Sequence, residues 1–518
     1  MKTIDDAQVY LPELWATHAR FSPGKEAVVC GDVRRSWRDF NNNLNRIANA
    51  VRAHGLGRGD KIAVLMGNAV ETLEVMYGIV KAGACVVPLS GLLTAKQIEG
   101  LINDSDSKLV IASDGVRERL EKIRGNLSNI PENGFISAGF DGAGWLSFEQ
   151  FVENADTGTP SVTYAMSDEF NIIYSSGTTG LPKGIVQTHR ARQHWSYSNA
   201  IEMRFHANTR ALTTTALYSN GTWLMILPAL FVGATVHIMP EFGAKAVLKT
   251  IQDEEITHTF MVPTQFIQTL ADPAMNTADL SSLESVLCAG SPLRADTKTD
   301  VIRRITPNLY ELYGYSEGFG SMNRPHQQSA KPTSVGTPVM GFDVKIIDDD
   351  GNELGVDEVG EIAGTGAGMM KEYHNRPDAT DAIVWKDHEG RCFLRSGDIG
   401  KLDADGFLYI LDRKKDMIIS GGLNIFPADI ETIIGENEGV LDVTVIGIPH
   451  EKWGETPVAL VIPRSGATEQ AVLDWSNERL AKHQRIAAVR FCDEFPRNAL
   501  GKVLKRELRD SWHAENKP

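Results

Sequence analysis

Residues 174–189 read YSSGTTGLPKGIVQTH, and this stretch indicates more about the fold and chemistry of the chain than any other. It is rich in glycine, serine and threonine, which combine a permissive backbone with hydrogen-bond donors, and Lys183 adds a mobile positive charge. The apolar residues of 170–174 predict a strand that leads into it. Pro182 stands where a Walker loop has the glycine before Lys-Ser/Thr, so this is a different kind of loop. Its composition suits phosphate binding, but it is also common in ordinary surface connections.

Length and composition indicate a globular chain of several domains. A chain of 518 residues is too long for one core, and 42% hydrophobic with 23% charged residues is ordinary for a soluble protein. The net charge of −15 argues against a general nucleic-acid or acidic-membrane binder. The five cysteines are scattered and have no metal-ligand spacing, and the polar N-terminus predicts no signal peptide, so we expect a reduced, cytoplasmic setting. The most apolar stretch, 224–239, predicts a buried helix and strand rather than a membrane span.

The hydrophobic pattern predicts an α/β fold. Apolar residues at helical spacing over 44–51 and 73–80 alternate with Val- and Ile-rich runs at 61–66, 84–89 and 108–113. Such alternation is typical of a mostly parallel sheet covered on both faces, and it recurs between residues 210 and 292. The sequence therefore predicts a large N-terminal domain with two βα-layered subdomains.

The pattern changes twice towards the C-terminus. Short strands with Gly, Asp and Asn turns over 337–406 predict a smaller β-rich subdomain. After DRKKD (412–416) the sequence predicts a small α/β domain, with helices over 468–482 and 500–512. We therefore expect an N-terminal domain over residues 1–412 and a small, mobile C-terminal domain over 413–518.

Five segments in order carry a family resemblance: YSSGTTGLPKG (174–184), ELYGYSEG (311–318), FLRSGDIG (393–400), DRKKDMIISGGLNIFPADIE (412–431) and FPRNALGKVLKREL (495–508). Together they resemble the signature set of the acyl-adenylate-forming superfamily of AMP-dependent synthetases and ligases. The chain looks most like bacterial acyl- and aryl-CoA ligases of the 4-coumarate, benzoate and medium-chain type. The resemblance covers essentially the whole chain and implies an N-terminal AMP-binding (adenylation) domain followed by a mobile C-terminal one.

The resemblance implies an enzyme that activates a carboxylic acid with ATP, releases pyrophosphate and then transfers the acyl group to CoA. Two anions must meet in the first step, so the site needs positive charge and oriented donors. Among the residues that match family positions, Thr178, Lys183, Glu317 and Lys502 are expected to be catalytic. The residues expected to bind ATP or AMP are Ser175, Ser176, Gly177, Thr178, Thr179, Gly180, Lys183, Gly290, Ser291, Pro292, Tyr313, Gly314, Tyr315, Ser316, Asp398, Arg413 and Lys502.

Several of these residues have individual roles by resemblance. Glu317 matches the acidic position that binds Mg²⁺, a cation that prefers oxygen ligands. Tyr313 matches the aromatic residue that stacks on adenine. Asp398 and Arg413 match the ribose- and phosphate-facing pair, and Lys502 matches the lysine that bridges the carboxylate and the α-phosphate. Without the motifs, each of these residues also has an ordinary structural explanation.

The resemblance also implies a second half-reaction. Lys415 matches the hinge about which the C-terminal domain rotates, which suits a flexible charged stretch. Ser420, Gly421 and Gly422 are then expected to line a channel for CoA. Trp453 matches a position near CoA in some relatives, although core packing explains it equally well.

The acid pocket is where the sequence departs most from the family. The gate segment 213–223 has Ser or Asn where many relatives have His or an aromatic residue, and Leu312 stands where many have Gly. A bulkier residue at 312 shortens the pocket, which favours an aryl, arylpropenoic or short-to-medium-chain acid over a long fatty acid. The expected pocket residues are Tyr218, Ser219, Asn220, Trp223, Cys288 and Leu312.

Two other functions remain open at this point. One is a stand-alone adenylating enzyme that loads a carrier protein. The other, from a different class, is a non-catalytic nucleotide-binding scaffold, which would be expected to lose Glu317, Asp398 or Lys502. The expected cofactors and co-substrates are ATP, Mg²⁺ and CoA, and the expected partners are the carboxylic acid, ATP and CoA. No nucleic acid and no membrane span are expected, and a homodimer remains open.

Overall fold

The computed structural model describes residues 8–174, 182–420, 423–497 and 503–515, and these residues form two compact units. Unit 1 comprises the chain up to Ala330, Pro338–Asp343 and Thr365–Ile383. Unit 2 comprises Lys331–Thr337, Val344–Gly364 and the chain from Val384 onwards. The division at residues 412 and 413 stays a prediction.

The α-helices are α1 (Leu11–Phe21), α2 (Trp37–Ala53), α3 (Val70–Lys81), α4 (Ala95–Asp104), α5 (Arg117–Ile123), α6 (Phe148–Val152), α7 (His189–Glu202), α8 (Asn220–Val232), α9 (Ala244–Asp253), α10 (Pro263–Ala271), α11 (Ala295–Arg304), α12 (Pro377–Asp381), α13 (Pro427–Gly435), α14 (Glu469–Arg479) and α15 (Lys505–Glu515).

The strands are β1 (Glu26–Cys30), β2 (Val33–Ser36), β3 (Lys61–Leu65), β4 (Cys85–Pro88), β5 (Ser107–Ser113), β6 (Phe135–Ala138), β7 (Leu146–Ser147), β8 (Glu169–Tyr174), β9 (Gly184–Thr188), β10 (Arg210–Thr213), β11 (Thr235–Ile238), β12 (His258–Met261), β13 (Ser285–Ala289), β14 (Leu309–Gly314), β15 (Gly320–Asn323), β16 (Thr337–Pro338), β17 (Phe342–Ile347), β18 (Gly360–Gly366), β19 (Glu372–Tyr373), β20 (Val384–Lys386), β21 (Cys392–Leu402), β22 (Leu408–Arg413), β23 (Ile418–Ser420), β24 (Leu423–Ile425), β25 (Val440–His450), β26 (Gly454–Pro463) and β27 (Val489–Phe491).

Unit 1 is built on two mixed sheets. The first has the order β19-β9-β8-β4-β3-β5-β6-β7 and is parallel from β8 to β7, with β9 antiparallel to β8. The second runs β15-β14-β13-β12-β10-β11-β1-β2 and is parallel from β14 to β1. Residues of both sheets, such as Ile62 and Val236, belong to one buried core with helices α2, α3 and α8. Apolar faces of sheets and helices thus bury each other in layers, as the α/β pattern requires.

Unit 2 has an antiparallel sheet and a small α/β part. Strands β17-β18-β21-β20, with β22 on β21, form the first sheet, and its antiparallel pairs include β21 with β22. Strands β24-β23-β26-β25, with β27 parallel to β26, form the second sheet. The core of the second sheet includes residues of α13 and α14, among them Ile430 and Val472.

The predicted α/β fold is confirmed, including the two βα-layered sheets, the β-rich part and the C-terminal α/β part. The stretch 224–239 forms most of α8 and then β11, both largely buried. Within the described residues, no helix is both long and apolar enough to cross a membrane. The helix predicted over 500–512 differs: α15 begins at Lys505, because Val503 pairs instead with Arg497 in a β-bridge.

Candidate active site

The predicted phosphate loop joins β8 to β9, at the carboxyl end of β8. Ser175, Ser176, Gly177, Thr178, Thr179 and Gly180 lie outside the described residues. Beyond them, β9 is tied to the loop that follows β14, because the Gln187 side chain donates to the Ser316 carbonyl at 2.9 Å. The segment after the phosphate loop and the segment that carries Glu317 are therefore held next to each other in unit 1.

The side chains of Lys183 and Glu317 both contact Tyr373. The Lys183 ammonium lies 4.5 Å from the centroid of the Tyr373 ring, a cation–π contact. The Tyr373 hydroxyl donates to Glu317 Oε1. Burial and the Glu317 charge raise the pKa of Tyr373, so the phenol stays protonated and keeps donating. The structure thus brings together the predicted phosphate-binding lysine and the predicted acidic residue.

The loop that carries Glu317 is fixed by its backbone. The Glu317 backbone carbonyl accepts a hydrogen bond from the Met370 N–H at 2.7 Å. The next residue, Gly318, has φ +125°, and a Cβ there would lie 2.4 Å from the Gly368 carbonyl oxygen. Only glycine combines that conformation with so close an approach. The position of the Glu317 side chain therefore depends on a glycine next to it.

The predicted adenine-binding residues lie at the ends of two neighbouring strands. β13 and β14 are parallel, with Ala289 opposite Leu312. Gly290, Ser291 and Pro292 follow β13, and Gly290 takes φ +98°. Tyr313 and Gly314 end β14, and Tyr315 follows with its ring centroid 5.8 Å from that of Phe319. The structure brings these residues together, and Tyr313 is half-buried with its ring 6.3 Å from that of Phe319.

The predicted gate residues lie at the start of α8. Ser219 is the residue before the helix and is buried, Asn220 is its first residue, and Tyr218 is half-buried. The buried Trp223 indole donates to the Leu217 carbonyl at 2.8 Å. Leu312 packs against the same core as Trp223.

Cys288 is not brought together with these residues. Its neighbours Leu287 and Ala289 face the core that contains Trp223, whereas Cys288 packs in a separate core with residues such as Met261 and Leu293. Alternation along β13 places it on the other face of the sheet. Burial raises the pKa of its thiol, as expected of a packed cysteine.

In unit 2, Asp398 and Arg413 face each other across β21 and β22. Arg413 Nε lies 3.5 Å from Asp398 Oδ1, and the Asp398 side chain is 9% exposed, which leaves it little contact with water. Gly397 takes φ +73° and its carbonyl accepts from the Lys414 N–H at 2.9 Å. This bend brings the Asp398 carboxylate and the Arg413 guanidinium close together.

Beside this pair lies an open cavity of about 320 Å³, lined by Ser396, Gly397, Arg413, Lys414 and Lys415. Lys415 stands in the turn between β22 and β23, and its pKa is lowered by partial burial and by the neighbouring Arg413 charge. Cations dominate the lining, so the cavity suits an anionic ligand.

The predicted CoA residues lie partly outside the described chain. Ser420 ends β23 and pairs with Gly454, whereas Gly421 and Gly422 lie outside the described residues. Trp453 is 47% exposed, which excludes core packing, and the Lys452 ammonium lies 4.7 Å from its ring centroid. Lys502 also lies outside the described residues.

Comparison with known proteins identifies the family. The profile of the AMP-binding enzymes matches residues 15–374, and the profile of their C-terminal domain matches residues 429–502. The chain belongs to the AMP-binding enzyme family.

Several relatives of this AMP-binding enzyme are CoA ligases, and one is a fatty acid–acyl-carrier-protein ligase of Streptomyces coeruleorubidus, 29% identical over 511 residues and covering 96% of each chain. The chain is 33% identical over 499 residues to a feruloyl-CoA synthase of Amycolatopsis sp, covering 95% of this chain and 96% of the relative. It is also 33% identical over 509 residues to a long-chain fatty acid–CoA ligase of Mycobacterium tuberculosis, covering 96% and 97%. ATP-bound MatB from Rhodopseudomonas palustris superposes with a TM-score of 0.88 at 27% identity, covering 98% of this chain and 100% of that one. At the level of class, the activity of the chain is ATP-dependent joining of a carboxylic acid to CoA.

Three residues of the AMP-binding enzyme's site region were missed by sequence reasoning. Tyr373 stands in the sequence EYHNRP, whose turn residues carry no chemical signal. Arg192 and Trp195 lie on α7, which begins at His189 directly after β9 and is capped by Thr188. Their proximity in sequence to the phosphate loop was the available signal, but helical spacing alone does not show which side they face.

Of these two α7 residues, Arg192 contacts the predicted acid pocket, and Trp195 contacts Gly368 and lies beside Gly320 at the start of β15. Arg192 Nη2 donates to Asn220 Oδ1 at 2.9 Å. The Trp195 indole donates to the Gly368 carbonyl at 3.0 Å. A Cβ at Gly320 or at Gly368 would lie 2.7 Å from the Trp195 ring, so both glycines make room for the indole.

Proposed function

We propose that this AMP-binding enzyme joins a compact or aryl carboxylic acid to CoA through an acyl-adenylate. In the first step a carboxylate oxygen attacks the α-phosphorus of ATP, and pyrophosphate leaves. In the second step the deprotonated CoA thiol attacks the acyl carbon, and AMP leaves with that oxygen. The products are acyl-CoA, AMP and pyrophosphate, and the thiol proton passes to solvent.

In the first step the enzyme must bind the pyrophosphate that leaves. Thr178, Thr179 and Lys183 supply donors and positive charge for it, and Lys502 bridges the carboxylate and the α-phosphate. Support comes from the contact of Lys183 with Tyr373, because it places the lysine near Glu317.

We propose that Glu317 holds Mg²⁺ beside the phosphates. Groups of three or more His, Cys, Asp or Glu side chains that could hold a metal do not occur in the described residues. A single carboxylate nevertheless fits Mg²⁺, which keeps several waters and takes other oxygens from phosphates. When bound, the ion neutralises phosphate charge, and Tyr373 keeps the Glu317 carboxylate oriented.

The second step needs access for CoA. We propose that the domain over 413–518 turns about Lys415, so that Ser420, Gly421 and Gly422 reach the adenylate in place of Lys502. Trp453 is exposed, as a residue that touches CoA must be. Asp398 and Arg413 hold the ribose and phosphate of the nucleotide through both steps, supported by their contact across β21 and β22.

The observation that carries the proposed acid size is the packing of two buried indoles, Trp195 on α7 and Trp223 in the first turn of α8. Trp195 fills the space left by Gly320 and Gly368, and Trp223 is buried with Leu312 packed against the same core. A long acyl chain would need these rings to move, at a substantial cost in packing. A flat ring or a short chain needs no such change, and aromatic walls suit an aryl acid.

An acid panel tests the proposal. The protein is incubated with ATP, Mg²⁺, CoA and one of ferulate, benzoate, octanoate or palmitate, and acyl-CoA is measured by mass spectrometry. We expect kcat/KM for at least one of the first three acids to exceed that for palmitate by ten-fold or more. Palmitate as the best substrate would contradict the proposed acid size. An adenylate that transfers only to a carrier protein would contradict CoA as acceptor, and no AMP from any acid would favour the scaffold.

The Trp195→Ala variant provides a second arm. If the indole limits pocket depth, its removal should raise kcat/KM for octanoate and palmitate relative to benzoate. The matched control is Trp385→Ala, which removes a half-buried indole from unit 2. An unchanged chain-length preference in Trp195→Ala would contradict the role of this wall.

A further inference from the structure

Arg192 carries a buried positive charge on α7. The residue is 3% exposed. Its Nε donates to Asn171 Oδ1 at 2.7 Å, its Nη2 donates to Asn220 Oδ1 at 2.9 Å, and its guanidinium lies 4.7 Å from the centroid of Trp223. No Asp or Glu within residues 8–174, 182–420, 423–497 and 503–515 forms an ion pair with it. A buried charge without a counter-charge is costly, so its retention calls for a physical reason.

Two buried polar groups near Arg192 have no hydrogen-bond partner among the described residues. Tyr77 is fully buried, and its hydroxyl finds no hydrogen-bond partner in the described part of the chain. The same holds for Nδ2 of the buried Asn171. The Arg192 charge reaches Tyr77, where it offsets part of the rise in phenol pKa that burial causes. The interior behind the gate segment therefore has a positive potential that an anion placed at its edge would lower.

Arg192 also decides how the Asn220 amide is turned. Arginine has donors and no acceptor, so only the amide oxygen of Asn220 can face it. With Oδ1 used in this way, the Nδ2 group must point away from Arg192. Among the described residues, nothing accepts a hydrogen bond from Nδ2, and Asn220 is half-buried at the first position of α8. The gate segment thus presents an amide donor, backed by a cation.

We propose that Asn220 Nδ2 donates a hydrogen bond to an oxygen of the substrate carboxylate, and that Arg192 is the positioning residue that fixes this orientation and makes the donor more polar. The inference rests on the proposed function, because it uses the carboxylic acid as the ligand. A donor next to a buried cation interacts more strongly with an anion than a neutral amide alone. It would hold the carboxylate before ATP is attacked, and the acyl oxygen after adenylation.

The sharpest test is Asn220→Asp. Aspartate is nearly isosteric with asparagine and keeps an oxygen for Arg192, now as an ion pair, but it has no N–H to offer the substrate. Loss of one hydrogen bond to a charged group predicts an increase in KM for the acid of about 10- to 100-fold, with KM for ATP unchanged. The melting temperature should stay equal or rise. If Asn220 merely bridges Arg192 to the fold, Asn220→Asp should keep the wild-type KM for the acid, and this result would overturn the inference.

Variants of Arg192 test the positioning role. Arg192→Lys keeps a charge and donors, and should retain more of the affinity for the acid than Arg192→Gln, which keeps neither the charge nor the forked geometry. Arg190→Gln is the matched control, because Arg190 is exposed on the same helix. Equal KM values for the acid in Arg192→Lys, Arg192→Gln and Arg190→Gln would contradict the role of Arg192. If Arg192→Gln does not fold, Asn220→Asp alone decides.

Failure of this inference is distinguishable from failure of the proposed function. Pyrophosphate exchange that depends on an acid in the wild type establishes adenylation independently of Asn220. Wild-type turnover with an unchanged KM in Asn220→Asp removes only the Arg192–Asn220 inference. A wild type that gives no exchange with any acid removes both.

Discussion

Tyr373 organises two charged residues that belong to distant parts of the sequence. Its ring receives the Lys183 ammonium, and its hydroxyl orients the Glu317 carboxylate. A cation–π contact and a charge-assisted hydrogen bond each contribute on the order of 1–2 kcal/mol in a buried setting. Tyr373 is 5% exposed, so water competes little with either contact.

Removing only the Tyr373 hydroxyl should separate the contribution of its hydrogen bond to Glu317 from that of the cation–π contact with Lys183. Tyr373→Phe keeps the ring under Lys183 but frees the Glu317 carboxylate, so we expect acid-dependent pyrophosphate exchange to fall about ten-fold and the Mg²⁺ requirement to rise. The control is Tyr409→Phe, because Tyr409 also donates to a carboxylate, that of Asp403, and has the Lys401 ammonium 6.0 Å from its ring centroid. Equal exchange rates in the two variants would contradict the role of Tyr373.

Replacing Gly318 by a residue with a Cβ should lower the stability of the fold. Gly318→Ala places a Cβ 2.4 Å from the Gly368 carbonyl in a backbone region that L-residues avoid, so we expect a loss of about 3 kcal/mol in the free energy of unfolding. Gly390→Ala shares a positive φ of +80° but meets nothing within 4 Å, and should lose about 1 kcal/mol. Urea denaturation measures both. Equal losses would show that close packing at Gly318 is unimportant.

At this scale the motifs single out individual residues, but they do not indicate which side chains lie beside them. Lys183 and Glu317 were singled out from their motifs, yet nothing in the motifs indicates that Tyr373 joins them. Arg192 lies close in sequence to the predicted phosphate loop, but an arginine on a helix is usually solvated, so this proximity did not single it out. Contacts between side chains far apart in sequence depend on strand order and helix rotation, which local patterns do not encode.

At the scale of elements, α7 connects β9, the strand that follows the predicted phosphate loop, to a residue of the predicted acid pocket. The helix is capped by Thr188, whose hydroxyl accepts from the Ala191 N–H at 3.2 Å, and this fixes where its first turn begins. Arg192 and Trp195 follow at spacing i and i+3, so both project from one side of the helix. Arg192 donates a hydrogen bond to Asn220 at the start of α8. Trp195 donates a hydrogen bond to the Gly368 carbonyl.

Buried histidines on these elements make stability depend on pH. Burial lowers the pKa of His189 on α7, His237 on β11 and His258 on β12 to about 4 each. The unfolded chain binds these protons near pH 6.5, so stability is complete above that pH and is lost as the pH falls towards 4. Each residue should cost on the order of 2 kcal/mol by pH 5.

Chemical denaturation at pH 7 and pH 5 measures this loss. His189→Gln removes one titrating group and should reduce the difference between the two pH values. His388→Gln replaces a histidine whose side chain is 77% exposed and should leave the difference unchanged. An unchanged difference in both variants would contradict the assignment to His189.

Most elements follow from sequence periodicity. The strands at 61–65, 85–88 and 107–113 and the helix α3 match their predicted positions, because alternating Val-rich runs and 3.6-residue apolar spacing leave few alternatives. The start of α15 was predicted too early. Val503 forms a β-bridge with Arg497, six residues earlier, and helical periodicity does not reveal such a local pairing.

At the scale of the whole molecule, the proposed function has two half-reactions: one forms the acyl-adenylate and the other consumes it. Proline at position 415 tests the proposed hinge, because proline fixes φ and restricts backbone rotation. Lys415→Pro should keep one half-reaction and lose at least ten-fold in the other. Lys415→Ala, which keeps a mobile backbone, should retain both, as measured by pyrophosphate exchange and by thioester formation from pre-made adenylate. Full turnover in Lys415→Pro would contradict the hinge.

Lys502 is tested by the same pair of assays. Lys502→Ala should abolish acid-dependent pyrophosphate exchange and leave thioester formation from pre-made adenylate largely intact, because the proposed role of the lysine is confined to the first step. Lys505→Ala is a nearby control, since Lys505 pairs with Glu431 at 2.7 Å rather than serving the first step. Equal loss of both steps in Lys502→Ala would contradict its assigned role.

The most direct test of the central claim follows the oxygen of the acid. With both carboxylate oxygens labelled by ¹⁸O, attack on the α-phosphorus and departure of AMP leave one ¹⁸O in the AMP and one in the acyl-CoA. We predict AMP with one labelled oxygen and unlabelled pyrophosphate, measured by mass spectrometry. Formation of ADP with one ¹⁸O in inorganic phosphate, or of unlabelled AMP with one ¹⁸O in pyrophosphate, would contradict the acyl-adenylate route.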